Sequence, residues 1–133
     1  MLLFRIPVRR ATNEDSPRIQ ELIQLNDLWV SGLDWSELQG WFVAERKGVI
    51  IGAIQVLLGK PMSVILYILV DPTYHNSGVG YSLLKNAEAL LRLNDSDAML
   101  GFTNRPQVMD IARRYKATEI ANCTSYIKRI WRG

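Results

Sequence analysis

At 133 residues, 48% hydrophobic and 22% charged, the chain has the make-up of one globular domain spanning 1–133, long enough for a single core and too short for a second. A net charge of +3 does not mark a dedicated nucleic-acid binder. One histidine and one cysteine argue against a metal site, and Cys123 has no internal disulfide partner. No apolar run approaches membrane-spanning length and no secretion signal opens the chain, so a cytoplasmic location without membrane contact is expected.

In chain order, residues 4–11 read as an opening strand. Thr12, with Asp15 three residues on, forms a capping box for a helix whose apolar face carries Ile19, Leu22 and Ile23. Pro17 falls in the first turn, where backbone N–H groups have no helical partner anyway. A short second helix is predicted over 34–40, with an acidic cap and a glycine stop. Residues 41–46 and 49–57 read as strands joined by a hairpin turn at Lys47 and Gly48. After the turn Gly59, Lys60, Pro61, the run 63–70 is apolar at nearly every position and predicts a strand covered on both faces.

A long helix follows over about 78–93, with Leu83, Leu84, Ala87, Leu90 and Leu91 as its buried stripe. Residues 94–97 are a polar stop, 98–103 a strand, 106–115 a helix and 123–131 a closing strand. Met99 and Met109 are read as core filler. Strands and helices interleave, with antiparallel hairpins on one side and a strand–helix–strand crossover in the middle.

The join between strand 63–70 and the long helix carries the chemistry. Residues 75–84 read HNSGVGYSLL, so the chain leaves a strand, turns through glycines and enters a helix. Unpaired N–H groups and the positive end of a helix dipole converge at such a turn, which makes it a cradle for a pyrophosphate. The glycines fit neither the three-glycine dinucleotide fingerprint nor the ATP-type loop ending in Gly-Lys.

With Val70, Asp71, Pro72, Thr73, Tyr74 and His75 before Gly78, Val79 and Gly80, the stretch resembles motif A of the GNAT superfamily, the acyl-CoA-dependent N-acyltransferases. The order of elements fits that family over nearly the whole chain. The resemblance implies an α/β fold of the GNAT type, a single mixed twisted sheet of six to seven strands flanked by about four helices. It also implies N-acetyltransferase activity, with acetyl-CoA as acyl donor and no metal.

Residue by residue, it places main-chain contacts to the acyl group and pantetheine on Leu69 and Val70. The pyrophosphate falls to His75, Asn76, Ser77, Gly78, Val79, Gly80 and Tyr81, and a contact to the pantetheine arm to Asn104. The expected partner is the primary amine of a small molecule or the α-amine of a peptide. Nucleic acid is not expected, and a homodimer is left open, since Trp131 either caps the closing strand or meets a second subunit.

Three positions depart from the family pattern. His75 stands where Arg or Gln is usual, and Val64 where members acting on lysine carry a glutamate base. Ala112 stands where many members carry a tyrosine acid, with Lys116 and Ala117 four residues further on where a Gly-Phe pair is usual. Tyr115, three residues from Ala112, is the candidate general acid, with packing as the competing reading. Glu45, Glu37 and Asp34 are candidates for relayed proton removal and are otherwise solvated or capping groups. Trp29, Trp35 and Trp41 line an acceptor pocket or close the core over the second helix.

Two other readings remain. One is a degenerate GNAT domain that binds CoA or a macromolecular partner without catalysis. The other is a nucleic-acid-associated domain using the basic residues Arg113, Arg114, Lys116, Lys128, Arg129 and Arg132, although a modest cationic surface also suits a multiply phosphorylated coenzyme.

Overall fold

The computed structural model describes residues 6–26, 40–102, 105–120 and 125–129. Its strands are β1 (Val8–Arg10), β2 (Trp41–Arg46), β3 (Val49–Leu57), β4 (Met62–Val70), β5 (Ala98–Phe102), β6 (Thr118–Ile120) and β7 (Ser125–Arg129), with helices α1 (Ser16–Leu25), α2 (Val79–Leu93) and α3 (Pro106–Arg114). The strands form one sheet in the order β1-β2-β3-β4-β5-β7-β6. Five strands of five to nine residues make its body, and two of three residues, β1 and β6, close its edges. Only β4 and β5 run parallel, joined through α2, and every other neighbouring pair is antiparallel. Three α-helices are described where about four were expected, and the expected helix over 34–40 lies outside the described residues apart from Gly40.

The local signals act as their chemistry requires. The Thr12–Asp15 capping box is formed, and it initiates a single 3-10 turn, Asn13–Asp15, that leads into α1. Lys47 and Gly48 both have positive φ, +51° and +78°, the geometry that lets a two-residue loop follow the twist of its strands. Ile19, Leu22 and Ile23 of α1 pack with Trp41, Val43, Ala53 and Leu69 on one face of the sheet, while α2 packs Val79, Leu83, Ala87 and Leu91 against the other.

Trp41 is thereby a core residue, stacked on Tyr67 at 5.6 Å between ring centroids. Met99 is buried in the α2 cluster, and Met109 is half-buried.

Two sequence expectations need correction. The strand at 63–70 is not covered on both faces along its length, for Leu66 is 48% exposed. The cluster around α1 takes in only Tyr67 and Leu69 of this strand, and Leu66 is an extra residue in the register with β3. Gln55 pairs with Tyr67 but Val56 pairs with Ile65, so β4 bulges outward at Leu66. The closing strand is described over Ser125–Arg129, the rest of 123–131 lying outside the described residues, and an unpredicted strand, β6, pairs along its far side. Among the described residues no helix is long and apolar enough to cross a membrane.

Candidate functional site

The site begins where β4 loses a neighbour. Parallel pairing with β5 covers only residues 62–65, so among the described residues the next five positions of β4 have no strand against the edge facing away from β3. Asp71 N–H donates to Ile51 O at 2.9 Å. Antiparallel alternation then makes Leu69 and Ala53 the next hydrogen-bonded pair and turns the amide groups of Val70 toward the open edge. Leu69, expected beside Val70 as a main-chain donor, is thus committed to β3 through its backbone and to the core through its side chain. The carbonyl of Val70 accepts from Asn26 Nδ2 at 3.1 Å and from His75 Nε2 at 3.2 Å. No acceptor faces the Val70 N–H among the described residues.

The turn after β4 is pinned from α1. Asp71 caps the 3-10 turn Pro72–Tyr74 by accepting from Thr73 N–H at 2.9 Å, and it also receives the Arg18 guanidinium at 2.6 Å. Burial pushes the Asp71 carboxyl up, but the Thr73 amide and Arg18 outweigh it, and the group lies below its ordinary value. Arg18 also donates to Ile50 O at 2.9 Å, which fastens α1 to β3 at the same point.

Of the amides expected to face a pyrophosphate, two are occupied. His75 N–H closes onto Pro72 O and Ser77 N–H onto Tyr74 O, each at 3.2 Å. The chain then passes through left-handed conformations at Asn76 (φ +64°) and Gly78 (φ +95°), and the first α2 bond is Ser82 N–H to Gly78 O at 3.0 Å. The N–H groups of Asn76, Gly78, Val79, Gly80 and Tyr81 have no partner among the described residues, and no side chain caps the helix. Alternating handedness next to a helix N-terminus is an anion-binding concavity. Gly78 is needed for its φ. Gly80 serves another purpose, because a Cβ there would stand 2.4 Å from Ile111 Cδ1, so the absence of a side chain lets Ile111 of α3 pack directly on α2.

That packing makes α3 the opposite wall. A cleft opens between the turn and α3, lined on one side by Ile68, Val70, Tyr74, His75 and the cradle residues, and on the other by Gln107, Val108, Asp110, Ile111 and Arg114. Asn26, the residue that ends α1, closes its floor. Asp110 and Arg114 pair with each other at 3.0 Å.

Tyr115, the candidate acid, does not line this cleft. It is buried, its ring meets Tyr81 edge-on at 5.2 Å, and its hydroxyl donates to Glu88 Oε2, about 13 Å along α2 from Val79. Glu45 is held by Arg9 at 2.8 Å. Trp29, Trp35, Asn104, Asp34, Glu37, Cys123 and Trp131 lie outside the described residues. Asn26 and the Arg18–Asp71 pair were missed from sequence. An asparagine closing an amphipathic stripe and an aspartate before proline are capping signals, but neither signal shows which strand lies opposite.

No curated protein matches the sequence. Solved structures do match by fold. Ard1 from Thermoplasma volcanium superposes with a TM-score of 0.77 at 15% identity, over 95% of this chain and 98% of that one. The PaiA N-acetyltransferase of Thermoplasma acidophilum, in complex with coenzyme A, gives 0.73 at 14% identity over 96% and 100%. A Mycobacterium tuberculosis protein in complex with CoA and NLQ gives 0.72 at 22% over 86% and 72%. The family model described as acetyltransferase (GNAT) family matches residues 7–115. With that match running from the edge strand to the end of α3, the chain belongs to the GNAT acetyltransferase family.

Proposed function

We propose that this protein transfers an acetyl group from acetyl-CoA to the primary amine of a small molecule or to a peptide α-amine, by direct attack of the amine on the thioester. The observation that carries the reading is the set of five amides at Asn76, Gly78, Val79, Gly80 and Tyr81 that have no partner among the described residues, beside a β4 edge whose Val70 N–H has none there either. A diphosphate accepts from such amides without a neutralising lysine. The Val70 N–H is placed to donate to a carbonyl oxygen lying along the open edge, where developing negative charge strengthens the bond. Similar folds bind CoA at low identity, the Thermoplasma acidophilum and Mycobacterium tuberculosis proteins among them.

In the transfer the amine nitrogen bonds to the acyl carbon, the carbon–sulfur bond breaks with its electron pair going to sulfur, and a proton leaves nitrogen for water. A CoA thiol resembles cysteine, with a reference pKa of about 8.5, so the thiolate departs near neutral pH without a proton donor. This agrees with Tyr115 being engaged with Glu88.

The acceptor is an amine of low pKa. A lysine amine, at about 10.4, is roughly three pH units from its nucleophilic form at neutrality, a cost of about 4 kcal/mol, while an α-amine near 7.8 is almost free of it. Val64 supplies no base against that cost.

Titration calorimetry with CoA and acetyl-CoA tests the cradle, and thiol release from acetyl-CoA tests transfer. The amine panel is glycinamide, glucosamine, a short peptide with a free α-amine and an α-blocked lysine peptide. Binding together with thiol release favouring the first three is expected. Binding without release from any amine leaves a coenzyme-binding domain, and a strong preference for the lysine peptide overturns the acceptor class.

A further inference from the structure

Asn26 is 7% exposed and lines the cleft, yet half of its side-chain amide is unused. Its Nδ2 donates to Leu22 O at 2.8 Å and to Val70 O at 3.1 Å. Two carbonyl partners fix which end of the amide is nitrogen, because an oxygen turned toward them would meet only acceptors. Both donor hydrogens are then spent. Oδ1 is left as a buried acceptor with no partner among the described residues, a condition that native interiors rarely leave without a use.

We propose that Asn26 Oδ1 receives an N–H of the acceptor amine and sets that amine beside the open edge of β4. The inference rests on the transferase reading above. The position argues for the amine rather than for the coenzyme arm. The cradle belongs to α2 and faces α3, on the sheet face opposite α1, whereas Asn26 ends α1 and reaches Val70 from its own side. Two substrates that react directly meet at the thioester, and Asn26 enters the shared cleft beside Val70, the point assigned to the thioester, rather than within the α2 cradle.

The chemistry of the group also fits. A primary amine has an N–H to spare while its lone pair attacks. A neutral amide oxygen, unlike a carboxylate, holds the amine without a charge that would keep it protonated. That suits an acceptor which must already be a free amine.

The test separates the two ends of the side chain. Asn26→Ala removes both, whereas Asn26→Asp keeps an oxygen acceptor and loses the two donor bonds. With the amine of the panel that gives the highest kcat/KM, Asn26→Ala is expected to raise the amine KM by about tenfold to a hundredfold. Asn26→Asp is expected to recover most of that loss in KM while moving the pH at which kcat is half-maximal upward, because its carboxylate favours the protonated amine, and the CoA dissociation constant should change in neither variant. Should the alanine variant not fold, Asn26→Gln displaces the oxygen by one methylene and carries the same expectation.

Equal damage in Ala and Asp would mean a mere tether for Val70 and overturns the proposal, as does an unmoved amine KM or a rise confined to the CoA constant. Wild-type protein that binds no CoA, or releases no thiol with any amine, overturns the transferase reading itself and this inference with it.

Discussion

The two ends of β4 are built to opposite specifications. At the start of the strand, Ser63 and Ser96 are fully buried and share a hydrogen bond of 2.7 Å, Gly59 N–H donates to Ser63 Oγ at 3.0 Å, the Ser96 hydroxyl donates to Gly59 O, and Asp97 N–H reaches Pro61 O at 2.7 Å. Strands lie on both sides there. At the other end, among the described residues, one neighbour is missing, the Val70 N–H has no acceptor, and five amides of the following turn and helix start have no partner. Both ends consist of short polar residues and glycines around an apolar strand. What distinguishes them is satisfaction: hydrogen bonding is completed where the strand only has to hold, and withheld where a ligand can complete it.

The comparison breaks most visibly at Gly80. Gly80→Leu forces α3 away from α2, and calorimetry should record roughly a hundredfold loss of CoA affinity, with a stability cost of about 3 kcal/mol in urea melts. Wild-type affinity in that variant would mean that α3 is not a wall of the site.

Acid sharpens the comparison next. Arg9 holds the Asp15 carboxyl down at about 2, and Asp71 also lies below its ordinary value, so both anchors of α1 depend on ionised carboxylates. A carboxyl lowered in the folded state stabilises fully above its unfolded pKa, and that contribution drains as pH falls through the folded value. Asp15 should therefore contribute about 2 kcal/mol at pH 7 and lose it between about pH 4 and pH 2. Urea melts across that range, repeated with Asp15→Asn, would show the slope flattening.

Ser96→Ala should cost about 1–2 kcal/mol of stability and leave CoA affinity unchanged, because it strips a partner from the closed end alone. Smallest of all, Tyr115→Phe should cost about 1 kcal/mol through the lost Glu88 bond and leave kcat for thiol release as it was. A kcat drop of a hundredfold would restore the tyrosine to the chemistry.

Much of the closed architecture was legible as pattern. Lys47 and Gly48 marked their hairpin, Thr12 and Asp15 their cap, and HNSGVGYSLL its strand-to-helix turn, because each signal lies within a few residues of its effect. What escaped depends on distant partners. The bulge at Leu66 exists only in register with β3, and Arg18 meets Asp71 across 53 positions. β6 has three residues, too few for an alternation to be read, and it takes its place from β7. Gly80 was legible as a glycine, but its reason, Ile111, sits on another helix. Within the site, the run of amides could be predicted, while the subset already spent on Pro72 and Tyr74 required the fold of the turn.

The borders of the sheet have a bearing on how the protein behaves in concentrated solution. β1 and β6 offer three residues apiece, and β1 carries two arginines whose side chains are held by Asp15, Glu45 and the ring of Phe42. An incoming strand from another molecule would find, at the β1 margin, a template about 10 Å long flanked by fixed positive charge. That is poor ground for runaway fibre growth.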